Sequence, residues 1–202
     1  GADDAAVISA ATGSVTEDLG VVAGNLATGG TLVIADPDAG EAAFQPQAAT
    51  AGTYGSFSLA ADGTWSYSAT NVNPAIQALG LGDTLTETFT VRSVDGTTST
   101  VTVTINGADD AAVISAATGS VTEDVSVSAG NLTTGGTLVI SDPDAGEAAF
   151  QPQTATAGTY GSFTLAADGT WSYSAANASP AIQALGTGDT LTETFTVRSV
   201  DG

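Results

Sequence analysis

Short segments in which apolar residues alternate with threonine or serine, separated by glycine and aspartate, make up most of the chain. In residues 55–60 and 64–68 an apolar side chain occupies every second position, and the dipeptide Asp62-Gly63 lies between the two segments. Strict alternation predicts a strand with one buried face, and an Asp-Gly dipeptide between two such strands predicts a tight turn. This part of the chain is therefore predicted to be a β-hairpin.

A second and longer hairpin is predicted further along. Residues 84–93 and 100–105 alternate threonine with leucine, phenylalanine, valine and isoleucine on either side of an Asp-Gly turn. Shorter strand candidates lie at residues 14–17 and 30–35. One helical turn is predicted over residues 74–79, because a proline begins it and a glycine follows it. Strands therefore dominate the predicted secondary structure.

The number and spacing of these strands predict the fold class. Six or seven short strands in about 100 residues, with turn residues between them, are typical of an antiparallel β-sandwich of the immunoglobulin or cadherin type. Glu87 lies among the threonines of one strand and is predicted to be solvated. The predicted core consists of the apolar residues on the inner faces: Phe57, Leu59, Trp65, Tyr67, Leu79, Leu85, Phe89, Val91, Val101, Val103 and Ile105.

The whole pattern occurs twice. Residues 1–96 align with residues 107–202 without a gap, and 85 of these 96 positions are identical. A repeat of this length matches a domain, whereas a solenoid turn has about 20–50 residues. We therefore predict two tandem β-sandwiches, residues 1–106 and 107–202, of which the second lacks a counterpart of the last strand. Either a continuing chain or a segment of another molecule is expected to fill that position.

Composition excludes several classes of function. The chain has 22 acidic residues against 2 arginines, a net charge of −20, and neither His, Cys, Met nor Lys. Such a charge repels nucleic-acid phosphates and anionic lipid. Without Cys and His there is no disulfide, no thiol nucleophile and no zinc site of the usual kind. No apolar run approaches the about 20 residues of a membrane span, and no signal peptide is recognisable, so direct membrane insertion is not expected.

Enzymatic activity is not expected either. A glycosidase would need two carboxylates about 5–10 Å apart in a cleft, with the pKa of one of them raised. Nothing in the sequence predicts such a cleft, and the glycines mark turns rather than a phosphate-binding loop. Asp62 and Asp168 are expected to be turn residues.

Five to seven carboxylates are expected to gather at the junction between the two sandwiches. In each sandwich, the loop after the second strand and the loop before the last strand are expected to lie at the end where the chain enters. The Glu-Asp pair at residues 17 and 18, at the end of the opening strand of the first sandwich, is expected to point to the junction from the other side. Gathered acids repel unless a cation neutralises them, and all-oxygen ligands favour Ca²⁺ over zinc, copper or Mg²⁺. The predicted calcium ligands are Asp3, Asp4, Glu17, Asp18, Asp36, Asp38 and Asp95, and in the second copy Asp109, Asp110, Glu123, Asp124, Asp142, Asp144 and Asp201.

A series of short motifs runs along the first copy and the linker that follows it: Val-Thr-Glu-Asp at 15–18, Ile-Ala-Asp-Pro-Asp-Ala-Gly at 34–40, Tyr-Gly-Ser-Phe at 54–57, Asp-Gly-Thr-Trp-Ser-Tyr at 62–67, Ile-Gln-Ala-Leu at 76–79, Leu-Thr-Glu-Thr-Phe at 85–89, Val-Asp-Gly at 94–96 and Ile-Asn-Gly-Ala-Asp-Asp at 105–110. In this order, these motifs resemble the VCBS repeat of very large bacterial surface and RTX-type adhesins. The resemblance covers nearly the whole chain twice, although residues 109–112 read Asp-Asp-Ala-Ala where that family tends to have Asn-Asp-Ala-Pro. It implies cadherin-like extender modules that are extracellular, exported by type I secretion and rigidified by calcium.

Three functions are compatible with this sequence. The first is a calcium-rigidified spacer of a surface or secreted adhesin, whose partners are neighbouring repeats of the same protein. The second is a subunit of an extracellular fibre or biofilm matrix that self-associates by strand complementation, since an open β edge can accept a strand. The third, a carbohydrate-binding module, needs exposed aromatic rings, whereas Trp65 and Tyr67 are predicted to be core residues.

Overall fold

The structure is a computed structural model that describes residues 3–202. The chain forms two compact units, residues 1–109 and residues 110–202. The described part of unit 1, residues 3–109, contains nine strands: β1 (Val7–Ile8), β2 (Ala11–Thr16), β3 (Asn25–Thr31), β4 (Ile34–Ala35), β5 (Gln47–Ala51), β6 (Gly55–Leu59), β7 (Thr64–Thr70), β8 (Thr84–Arg92) and β9 (Thr98–Asn106).

Unit 1 is a β-sandwich of two main sheets. One sheet has four antiparallel strands in the order β3-β7-β6-β5, and the other has three strands in the order β2-β9-β8. Strand β9 is central in the second sheet, where it runs antiparallel to β8 and parallel to β2. The parallel pair is a departure from the all-antiparallel arrangement that was predicted. The short pair β1-β4 completes the unit and holds the entering chain beside the segment that follows β4.

The core lies between the two main sheets. Val101, Val103 and Ile105 of β9 are completely buried, and the rings of Phe57 and Phe89 stack across the sheets with centroids 4.8 Å apart. Ten of the eleven predicted core residues are buried, and the other, Leu85, is partly buried against them. The prediction of the core is therefore confirmed, because alternation alone assigns the inward face of each strand.

Unit 2 repeats one of the two main sheets. Its strands are β10 (Val113–Ile114), β11 (Asn131–Thr137), β12 (Ile140–Ser141), β13 (Gln153–Ala157), β14 (Gly161–Leu165) and β15 (Thr170–Ala176), and its helical turn α1 is Pro180–Gln183. The four-stranded sheet has the order β11-β15-β14-β13, and β10 pairs with β12. The corresponding residues 74–78 of unit 1 form turns instead of a helix.

The second main sheet is not formed in unit 2. Residues 117–122 and 190–198 have the same sequences as β2 and β8, yet neither of these described segments is a strand. In unit 1 both β2 and β8 take their backbone partners from β9. Residues 107–202 contain no counterpart of residues 97–106, so this shared partner is missing from unit 2.

Candidate metal-binding loops

The turn after β4 gathers carboxylates in unit 1. The backbone N–H of Asp38 donates to Oδ1 of Asp36 over 2.8 Å, which folds the Asp-Pro-Asp segment into a compact turn. The pairing of β1 with β4 brings the entering chain alongside, where the N–H of Asp4 donates to Oδ2 of Asp38 over 2.7 Å. As a result, Asp3, Asp38 and Glu41 each offer one carboxylate oxygen within 4.8 Å of the others.

Mutual repulsion is evident at this turn. The pKa of Glu41 is raised, first by the loss of solvation and then by the negative charge of Asp3, with smaller contributions from Asp38 and Asp36. A carboxyl group that is harder to ionise because of its neighbours is one that a divalent cation would stabilise in the charged form. The chemistry of the turn therefore fits an oxygen-liganded cation.

The equivalent turn in unit 2 is more enclosed. The N–H of Asp144 donates to Oδ1 of Asp142 over 2.9 Å, and the N–H of Asp110 donates to Oδ2 of Asp144 over 2.8 Å. Carboxylate oxygens of Asp142, Asp144 and Glu147 lie within 4.8 Å of one another. Asp144 is only 2% exposed, and its Oδ1 and the Oδ2 of Asp142 are buried without a hydrogen-bond donor. A buried carboxylate oxygen without a donor is costly, and a metal ion would satisfy it.

Glu17 lies at the other end of unit 1, where β2 ends. It is 1% exposed, and its Oε1 accepts a hydrogen bond of 2.8 Å from the N–H of Ala108. Its own N–H donates to the carbonyl of Asn106. Glu17 thus contacts the segment that leaves β9. Its counterpart Glu123 is partly buried in unit 2, after residues 117–122.

Asp18 and Asp124 are held by amide side chains. Oδ1 of Asp18 accepts from Nδ2 of Asn71 at 2.6 Å and from Nε2 of Gln77 at 3.3 Å. Asn177 and Gln183 bind Asp124 in the same way, and these hydrogen bonds lower the pKa of Asp124. The two aspartates have φ of 57° and 59°. Through these hydrogen bonds they anchor their own turns to the segments at residues 71–77 and 177–183. The structure does not bring them into the carboxylate clusters.

Asp95 has a similar anchoring role. It accepts hydrogen bonds from the hydroxyl groups of Ser93 and Thr97 and, over 3.0 Å, from the N–H of Ala6. These donors, with Ser93 first, hold the pKa of Asp95 well below its usual value. Asp95 therefore ties the entering chain to the turn between β8 and β9.

The remaining predicted ligands are distributed around the clusters. Asp109 is the last residue of unit 1 and is exposed, and Asp110 is the first residue of unit 2. Asp201 is exposed, and one of its carboxylate oxygens lies within 4.8 Å of one from Glu147. Asp4 is exposed and contributes its backbone N–H to the first cluster.

Sequence reasoning missed the positions of three glutamates. Glu41 and Glu147 belong to the clusters, and their position three residues after the second aspartate of Asp-Pro-Asp was the available signal. The expectation that Glu87 is solvated is wrong, since Glu87 is 6% exposed. In β8 it points to the same side as Leu85 and Phe89, and this shared parity with the core residues predicts burial.

Two tandem units built on antiparallel four-stranded sheets, with acidic turns where the chain enters each unit, define an all-β chain of cadherin-like repeats. The family model of the bacterial cadherin-like domain matches residues 3–107 and again residues 109–202. The chain therefore belongs to this family, which confirms the predicted fold class. A search of curated proteins gives no match to the chain.

Membership of this family indicates an extender- or adhesion-type repeat of an extracellular or surface protein. Domains of the family are generally non-enzymatic. Within residues 3–202, no helix is both long and apolar enough to cross a membrane.

Proposed function

We propose that the chain is a calcium-binding spacer segment of a large bacterial adhesin of the VCBS and RTX type, displayed on the cell surface or secreted. In this role the repeats hold a binding module away from the cell. Calcium ions bound where the chain enters each repeat stiffen the connecting segments. The partners of each repeat are then the neighbouring repeats of the same protein.

The buried carboxylate of Asp144 is the observation that carries this proposal. Asp142, Asp144 and Glu147 would place three negative charges within 4.8 Å, and two of the buried oxygens have no hydrogen-bond donor. The chain carries 22 acidic residues against 2 arginines, so positive charge is scarce throughout. A bound cation supplies the missing positive charge, and calcium prefers six to eight oxygen ligands in flexible geometry.

The linker residues take part in the same turn. Asp110 donates its N–H to Asp144, so a cation held by Asp144 also fixes the start of unit 2. Because such an ion binds only the folded turn, it stabilises the folded unit by mass action. A chain of this kind is less stable at low calcium concentration and folds fully where calcium is abundant.

Calorimetric titration with Ca²⁺ tests the proposal. We expect saturable binding to the chain, and Asp144→Asn should weaken binding by about tenfold or more because calcium sites depend on the ligand charge count. Asp168→Asn is the matched control, since Asp168 accepts its hydrogen bond from Thr170 in a hairpin turn and belongs to no cluster. Absence of calcium binding, or equal loss in both variants, would contradict the proposal.

A carbohydrate-binding role receives no support from the aromatic residues. Trp65 and Trp171 are 3% and 8% exposed, and both pack against phenylalanine rings in the core. Neither ring is therefore available to stack on a sugar.

A further inference from the structure

We propose that unit 1 contains a mechanical clamp, formed by β2 and residues 101–106 of β9, which resists tension applied along the chain. Strand β2 is the first strand of the two main sheets and β9 is the last, so a pull on the segments before and after them reaches both strands. The clamp rests on the proposed spacer role for its use, because a spacer transmits tension from one repeat to the next. Its strength depends on the direction of the strands and not on a bound ion.

The direction of the two strands determines how tension acts on them. Six consecutive residues of β2 pair with β9, from Ala11↔Val101 to Thr16↔Asn106, and the two strands run the same way. The entering segment pulls β2 from its first residue, whereas the leaving segment pulls β9 from its last residue. The two forces are opposed and lie along the strands, so the pair is sheared. The evenly spaced hydrogen bonds of a sheared parallel pair bear the load together, whereas bonds that are peeled apart break one after another.

Further hydrogen bonds strengthen the end of the clamp at which β9 leaves. Nδ2 of Asn106 donates to the carbonyl of Val15 over 3.0 Å, and the N–H of Glu17 donates to the carbonyl of Asn106 over 3.0 Å. Oε1 of Glu17 accepts from the N–H of Ala108 over 2.8 Å, and Glu17 is 1% exposed. Tension from the leaving segment meets these hydrogen bonds first, so they protect the six residue pairs behind them.

Side chains of both strands anchor the clamp in the core. Val15 is 8% exposed, and its partner Ile105 is completely buried. A Cβ atom built on Gly13 would lie 2.6 Å from the ring of Trp65, so the backbone of β2 lies directly against this ring. Sliding β2 along β9 would drag these groups out of close-packed positions, which adds to the resistance of the hydrogen bonds.

The short pair β1-β4 lies before the clamp in the path of the load. It has only two residue pairs, Val7↔Ala35 and Ile8↔Ile34. We expect this pair to open at a lower force than the clamp does. Attaching the pulling handle after β1 therefore applies the load to β2 directly.

Single-molecule force spectroscopy of the 202-residue chain in two pulling directions tests the clamp. The chain has no cysteine, so two introduced cysteines define the attachment points. Ala10→Cys with Ala111→Cys shears the pair, because it pulls β2 from its start and β9 from beyond its end. Ala10→Cys with Thr98→Cys peels the pair apart, because it pulls both strands from the same end. All three positions are exposed.

The two directions should give different rupture forces. At equal loading rate, the shearing force should be at least about twofold higher than the peeling force, because six residue pairs share the load instead of one. The released length, about 3.5 Å for each residue between the attachment points, identifies the opening of unit 1. Equal forces in the two directions would overturn the proposal.

A matched pair of variants locates the resistance. Asn106→Ala removes the donor to Val15 within the clamp, whereas Asn25→Ala removes an amide that donates to Ala23 outside it. Asn106→Ala should lower the shearing force, because forced unfolding follows the unfolding rate. It should leave the peeling force unchanged, since peeling begins at the other end of the strands. Asn25→Ala should change neither force. A shearing force that is insensitive to Asn106→Ala, or equal loss in both directions, would contradict the clamp.

Repeating both pulls in calcium and in a chelator separates the clamp from the proposed calcium sites. A higher shearing force in both solutions supports the clamp, whether or not calcium binds to the chain. A difference between the two directions that exists only in calcium would show that the ion, and not the strand pair, bears the load.

Discussion

The hydroxyl of Tyr67 donates a hydrogen bond of 2.5 Å to Oε2 of Glu87 and thereby connects the two main sheets of unit 1. Tyr67 belongs to β7 and Glu87 to β8, which lie in different sheets. The other carboxylate oxygen accepts from the N–H groups of Thr53 and Tyr54. Glu87 is therefore a buried acid whose two oxygens are both satisfied by donors from the opposite sheet and its loop.

Replacing Tyr67 with phenylalanine should destabilise unit 1. The substitution keeps the ring but leaves Oε2 of Glu87 buried without its donor, which costs about 1–3 kcal/mol. Thermal melting followed by circular dichroism should show a lower transition temperature for Tyr67→Phe. Thr86→Ala, which changes an exposed neighbour in the same strand, should leave the transition nearly unchanged. Equal stability of the two variants would contradict the buried link.

Gly52 is required by the same carboxylate. A Cβ atom at this position would overlap the Glu87 carboxylate and lie 2.9 Å from Cζ of Phe89. Gly52→Ala should therefore destabilise unit 1 by about 1–3 kcal/mol, as overpacking of a filled core does. Gly20→Ala is not a suitable comparison, because Gly20 has a positive φ of 69°. Ala51→Ser, at an exposed neighbouring position, is the appropriate control in the same melting experiment.

Alternation of residues was sufficient to predict the core but not the partner of each strand. Phe57, Trp65 and Val103 were assigned to the interior by their parity alone, and they are buried. The parallel pairing of β2 with β9 was not predictable, since it joins residues about 90 positions apart and depends on which edge of the sheet is free. Register of distant strands depends on tertiary contacts that local pattern does not contain.

The sequence likewise predicted some members of the candidate metal-binding loops but not others. The Asp-Pro-Asp sequence identified Asp38 and Asp144 as members of acidic clusters. This was possible because the two aspartates of each turn are neighbours in sequence, and because the fold class places the entering chain at the same end of the sandwich. The expected gathering of Asp18 with these residues could not be judged from sequence. Its carboxylate is bound by Asn71 and Gln77, whose approach depends on the fold of the turn after β7.

Ionisation of tyrosine provides a second test of the buried links. Burial raises the pKa of Tyr67 and of Tyr173 above the ordinary phenol value. The hydrogen bond that each hydroxyl makes to a glutamate, Glu87 or Glu193, and the negative charge of that glutamate raise the pKa further. The unfolded chain deprotonates these phenols near pH 10, so the stability that they contribute is complete below about pH 10 and declines as the pH rises further. Spectrophotometric titration should show a late phenolate component that disappears in the double variant Tyr67→Phe/Tyr173→Phe. A late component that persists in this variant would refute the assignment.

Two alanines in β-bulges occupy a backbone conformation that favours glycine. Ala49 and Ala155 have φ of 51° and 48°, and each lies within a register shift, between Gln47 and Thr50 of β5 or between Gln153 and Thr156 of β13. Ala49→Gly should stabilise unit 1 by about 0.5–1 kcal/mol, because a Cβ atom is disfavoured at positive φ. Ala48→Gly, at a neighbouring position without positive φ, should instead destabilise the strand. Urea unfolding of both variants would distinguish these opposite signs.

The glutamates of the acidic turns should matter more for calcium than the amide-bound aspartates do. Glu147 contributes an oxygen to the cluster with Asp142 and Asp144, so Glu147→Gln should weaken calcium binding by about tenfold through the loss of one charged ligand. Asp124 accepts from Asn177 and Gln183 outside that cluster, so Asp124→Asn should leave calcium affinity unchanged and lower only the melting temperature. Calorimetric titration and melting with and without chelator measure both quantities on each variant. If Asp124→Asn abolished calcium binding while Glu147→Gln did not, the ion would lie at the other end of the unit, and the assignment of the Asp-Pro-Asp turn would be wrong.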